Sequence, residues 1–70
     1  MAKYTDEQLL DAVKQHMRQD KGYRNQLEQA VDSKSSNRIW DLIAKVAKWF
    51  FGEVIVGMVE AVIEHLFGWT

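Results

Sequence analysis

The chain has no cysteine, no proline and only four glycines among its 70 residues. Without cysteine there is no disulfide framework and no thiolate metal site. Nothing argues for an oxidising compartment, so a cytoplasmic location is the default expectation. The missing proline and scarce glycine withhold the residues that turn a sheet, which points to an all-α chain. An excess of one charge is also lacking. The net charge is −1, made of +1 over residues 1–38 (seven basic, six acidic) and −2 over residues 39–70 (two basic, four acidic). Such a balance leaves no electrostatic footprint for nucleic acid, and no nucleic-acid partner is expected. The opening, Met1 to Asp6, has no apolar run behind it, so no secretory signal peptide is expected.

What the chain does have is an apolar second half. Ile39 to Trp69 holds 21 of the 33 apolar residues. The expectation is one domain over residues 1–70, with a polar half (1–37) and an apolar half (38–70). Chains of this size bury only about 60% of the surface their unfolded form exposes, so the core is marginal.

Within the apolar half, Asp41, Lys45 and Lys48 recur at intervals of four and three, which marks one solvated helical stripe. After Gly52 the polar set becomes Glu53, Gly57, Glu60 and Glu64, centred roughly 100 degrees around the helix from the first. A straight helix over residues 39–69 would be about 46 Å long, against a radius of gyration of about 11 Å for a compact chain of this length. Either the helix breaks at Gly52 or Gly57, or a long helix projects and pairs with another chain. Glycine inside a helix costs roughly 1 kcal/mol relative to alanine, which favours the break.

Toward the N-terminus, Thr5-Asp6-Glu7-Gln8 is a capping box, flanked by Tyr4 and Leu9 at the two positions of a hydrophobic staple. A first helix begins there, with Leu9, Leu10, Val13 and Met17 on one face. Gly22 suits the left-handed residue just past its end. Tyr23, Leu27 and Val31 at intervals of four mark a short second helix, too short to be stable unless it docks. Residues 32–37 read as a loop, in which Ser35, Ser36 or Asn37 could cap the next helix. The expected architecture is a small bundle of three or four helices over about residues 6–21, 23–31, 38–51 and 53–67, the last two being one long helix if Gly52 does not break them.

Residues able to carry chemistry are few. His16 lies at the edge of the first apolar face and reads as a boundary residue. His65 neighbours Glu64, but adjacent helical residues point about 100 degrees apart and do not chelate one ion. The Glu-x-x-His and His-Glu-x-x-His spacings are missing, as is a glycine-rich phosphate loop, and no Ser sits in an activating context. The expectation is a non-enzyme with no cofactor, no metal and no small-molecule substrate. Glu60 and Glu64 read as a solvated stripe. Glu53, among Phe50, Phe51, Val54 and Val56, is a candidate pH-sensitive group should it be buried. A helix-turn-helix over Asn25 to Lys48 is disfavoured by a long turn without glycine and a would-be recognition helix opening Arg38-Ile39-Trp40-Asp41.

Trp49 to Trp69 is long enough to cross a bilayer. Its ten Val, Ile, Leu and Phe residues gain roughly 3 to 6 kcal/mol on insertion, but each mid-helix acid costs about 2.5 to 3.5, and Glu53, Glu60 and Glu64 cancel the gain. Two functional expectations follow. The first is a non-catalytic helical interaction module that self-associates or binds a partner protein through Trp40, Ile43, Trp49, Phe50, Phe51, Ile55, Val59, Ile63, Phe67 and Trp69. In it, an antiparallel pair of long helices centred near Val54 would set Lys45 and Lys48 against Glu60 and Glu64. The second is a membrane-active small protein, of the toxin or bacteriocin type, whose C-terminal helices engage a membrane surface.

Overall fold

The computed structural model describes residues 4–68. Among them are four helices and no strand: α1 (Asp6–Gln19), α2 (Lys21–Asp32), α3 (Ser36–Phe51) and α4 (Val56–Gly68). The protein is a small all-α bundle.

Helix α1 starts as its sequence dictates. Thr5 Oγ1 accepts the Gln8 amide at 3.2 Å, and the Thr5 amide donates to Gln8 Oε1 at 2.9 Å. Its end differs from expectation. α1 stops at Gln19 rather than residue 21, and Asp20 serves both helices, donating its amide to the His16 carbonyl at 2.9 Å and accepting the Tyr23 amide on Oδ1 at 3.1 Å. A capping carboxylate satisfies one of the orphan amides of α2, so the second helix begins at Lys21 rather than residue 23. Gly22 is therefore inside α2 and not a left-handed cap. A Cβ there would stand 3.2 Å from Asp20 Oδ1, so its missing side chain leaves room for the cap.

The left-handed residue after α2 is Lys34, at φ 55°. The Ser35 amide donates to the Ala30 carbonyl at 2.9 Å and the Lys34 amide to Val31 at 3.1 Å, the bond pair of a Schellman ending. Ser35 is then the first flanking residue of α3, without a side-chain capping bond, and α3 begins at Ser36 rather than residue 38.

The apolar half breaks at Gly52, which takes φ +76° while its amide donates to the Lys48 carbonyl at 2.9 Å. Gly57 lies inside α4 and breaks nothing. Helix α4 starts at Val56 rather than residue 53, with the Ile55 carbonyl accepting the Met58 and Val59 amides. The break explains the displaced polar stripe, since Glu60 and Glu64 belong to a helix that has turned to a different surface. It also removes the long antiparallel pair, because α3 and α4 pack against each other within one chain.

Helices α1 and α3 each pack against all three of the others. Their buried faces meet in one apolar cluster, to which α1 gives Leu9 and Val13, α2 Leu27 and Ala30, α3 Ile39, Ile43 and Val46, and α4 Val59, Val62 and Leu66. The radius of gyration is 11.1 Å, the value of a closed chain rather than a projecting rod.

Gly52 and Lys34 make opposite predictions. No atom lies within 4 Å of a Cβ placed on Gly52, so Gly52→Ala meets only backbone strain. It should cost about 1–2 kcal/mol, and each kcal/mol lowers the melting temperature of so small a chain by about 4–8 °C. Lys34→Gly relieves the same kind of strain and should gain about 1 kcal/mol. Thermal denaturation followed by circular dichroism measures both; a Gly52→Ala protein that melts no lower than the parent would contradict the left-handed ending.

Candidate functional site at the corner between α3 and α4

The last turn of α3 carries Trp49, Phe50 and Phe51 in succession, and each meets a different environment because successive helical residues are 100 degrees apart. Trp49 stands edge-on to the His16 ring of α1, centroids 4.9 Å apart, and His16 in turn meets Tyr23 of α2 at 4.5 Å. Phe51 stacks on Tyr4, just ahead of α1, with ring centroids 4.1 Å apart and planes 15° from parallel. Trp49 and Phe51 thus reach the two ends of α1, its last turn and the residues ahead of its start. Phe50, between them in angle, stands 50% exposed.

After Gly52 the chain reverses through Glu53, Val54 and Ile55. Val54 remains 38% and Val56 54% exposed, and Trp49 is 55% exposed despite its contact with His16. These four are the exposed large hydrophobic residues of the described chain, and all fall within eight positions. The rim is charged. Lys45 places Nζ 5.3 Å from the Trp49 ring centroid, Lys48 is exposed beside it, and Glu53 is exposed in the reversal.

The sequence-derived contact residues are sorted by this geometry. Trp49 and Phe50 are on the surface, and Phe51, Ile55, Trp40 and Phe67 are half-buried against the core. Ile43, Val59 and Ile63 are core residues, at 0%, 0% and 9% exposure, so their expected place at an interface is corrected: once the chain folds back at Gly52, α4 packs on α1 and α3 and all three residues join the shared core. Trp69 lies outside the described residues. Glu53 is exposed, and the burial on which its pH-sensitive role depends is absent. Val54 and Val56 escaped sequence reasoning. They entered only as apolar neighbours of Glu53, with Val54 as the centre of a long helix pair, and the reversal after Gly52 leaves both exposed.

His16 is less of a bystander than its spacing suggests. Its Nε2 is buried without a hydrogen-bond partner, and the nearest carboxylate is that of Asp20, 3.9 Å away and four residues on. Beside it, the Tyr23 hydroxyl donates to the Leu42 carbonyl of α3 at 2.9 Å. Burial pushes the Tyr23 phenol well above its ordinary pKa, because the phenolate would lose its hydration. No group of three or more His, Asp or Glu able to hold a metal ion occurs among the described residues. A shallow open groove between α2 and α3, lined by Gln26, Gln29, Arg38, Asp41 and Leu42, has no convergent pair of reactive groups.

Comparison with family models, curated proteins and solved structures finds no match to this chain.

The tyrosine bond between α2 and α3 has a pH signature. A group whose pKa is raised on folding contributes stability that is intact below the unfolded value, about 10 for tyrosine, and is lost as pH climbs beyond it. At pH 7, Tyr23→Phe should destabilise by about 0.5–1.5 kcal/mol through the missing bond to Leu42. Above pH 10 the gap between the two proteins should narrow and then reverse, because only the parent must ionise or hold a buried phenol. Parallel melting curves between pH 7 and 12 test this; a gap that stays constant across the range would refute it.

Proposed function

We propose that the protein is a non-catalytic helical interaction module that engages its partner through the corner spanning residues 49–56. The supporting observation is the concentration of its exposed large hydrophobic residues, Trp49, Phe50, Val54 and Val56, at a single chain reversal. Given about 150–250 Å² per aromatic side chain, the four together present on the order of 400 Å² of apolar surface. That falls within the roughly 300–600 Å² of the largest patch on a typical monomer, a patch that is often functional.

The same area sets the strength of engagement. At about 25 cal/mol per Å², covering it is worth on the order of 10 kcal/mol before association costs of about 4–15 kcal/mol. The corner therefore suits reversible docking rather than permanent assembly. The non-catalytic part of the reading rests on the side chains themselves: the corner has aromatic and aliphatic groups and one glutamate, with Lys45 and Lys48 on its rim and no nucleophile set beside a base.

The double variant Phe50→Ser/Val56→Ser tests the reading, because neither side chain belongs to the core. An environment-sensitive apolar dye should bind the parent and bind the variant several-fold more weakly, while the two melt within a few degrees of each other. Equal dye binding by parent and variant would show that the corner is not the contact surface.

A further inference from the structure

We infer that the partner of the corner is an anionic lipid headgroup layer, against which the folded protein docks without crossing the bilayer. The inference rests on the reading of residues 49–56 as a contact surface, and three features select this occupant over a second protein.

Area is the first. The exposed apolar surface is on the order of 400 Å², so a protein partner at a standard interface of roughly 800 Å² per side would also have to match a comparable area of polar surface around the corner. A lipid layer needs no matching patch, since it flows around whatever is inserted.

Shape is the second. The corner is a helix end followed by a reversal, so its side chains diverge. Phe51 is held by Tyr4 ahead of the start of α1 and Trp49 by His16 in its last turn, while Phe50 between them stays half exposed. Such a wedge offers neither a flat helix face nor a groove for a partner helix, but it fits the boundary between headgroups and acyl chains.

The third is the chemistry of the rim. Tryptophan is favoured at headgroup depth, where its ring is apolar and its indole N–H can stay hydrated. Lys45, with its ammonium over the Trp49 ring, and Lys48 beside it can lay their stems along the apolar surface and reach lipid phosphates. Over residues 45–56 these two lysines outnumber the single acid, Glu53. Farther along α4, exposed Glu60 and Glu64 limit the depth of insertion. Among the described residues no helix is long and apolar enough to cross a membrane, in keeping with docking at the surface.

Vesicle flotation of the full chain is the test, using phosphatidylcholine alone and phosphatidylcholine with about a third phosphatidylglycerol, the latter carrying the surface charge that attracts lysine. The parent should float with the anionic vesicles and more weakly with the neutral ones. Phe50→Ser/Val56→Ser should remain in the dense fraction while keeping the helical circular dichroism of the parent. Lys45→Gln/Lys48→Gln should bind the anionic vesicles roughly 30-fold more weakly, at about 1 kcal/mol per lysine near the surface. Failure of the parent to float with either vesicle would overturn the inference, as would flotation undiminished by Phe50→Ser/Val56→Ser. Light scattering over a hundredfold concentration range then separates the two readings. If the parent does not float but self-associates, and that double variant abolishes the association, the lipid occupant is refuted while the contact surface stands. If the parent neither floats nor associates, and dye binding ignores the double variant, both fall.

Discussion

The left-handed turn at Gly52 is the constraint on which the rest of the molecule depends. A 70-residue chain with most of its apolar side chains in one half cannot cover them with a straight helix, because the polar half is too short to line a rod of about 46 Å. Reversal after Phe51 lays α4 against α3 and α1, and Met58, Val59, Val62, Ile63 and Leu66 become core. Without it these residues would have no cover, and the remaining core would be smaller than a marginal chain tolerates. Glycine is suited to this position because a positive φ costs it nothing, whereas an L side chain there is strained.

The reversal also determines what remains outside. A helix that ends and turns back must put some of its last residues on the convex side, and here those residues are large. Two of the three aromatic rings at the end of α3 are held, Trp49 by His16 and Phe51 by Tyr4, the first contact crossing from α3 to α1 and the second to the chain two residues ahead of it. The third, Phe50, is displayed by the same arrangement. Folding and display are thus linked: the contacts that anchor the end of α3 also fix the direction in which its apolar wedge points.

Much of this was legible in the residues. The capping box at Thr5 and Gln8 and the all-helical composition rest on local chemistry, which a sequence carries openly, while the two glycines favoured a break in the apolar half without choosing Gly52 over Gly57. Other features depended on competition between neighbours. Gly22 resembled a helix ending until Asp20, two residues earlier, turned out to cap the next helix and draw Gly22 into it. The strained left-handed position fell on Lys34, a residue with no preference for it, because the two bonds that end α2 outweigh the strain. The site was the least legible part. Ile43, Val59 and Ile63 are as apolar as Val54 and Val56, and what separates buried from displayed is the angle of a turn, which residue type does not encode.

Asp20 has a consequence for how this chain can vary. At the second junction, 33–35, each residue holds a helix end through its amide, whereas at the third, 52–55, Glu53 and Val54 lie between the bonds of Gly52 and Ile55, so a connection lengthened between them keeps both helix ends. Between α1 and α2 there is one residue, and its backbone and carboxylate both hold a helix end. An extra residue there would displace the carboxylate from the Tyr23 amide and rotate Tyr23 out of register with Leu42. Growth of the chain is therefore expected at the last of its three corners, with the first two kept at fixed length.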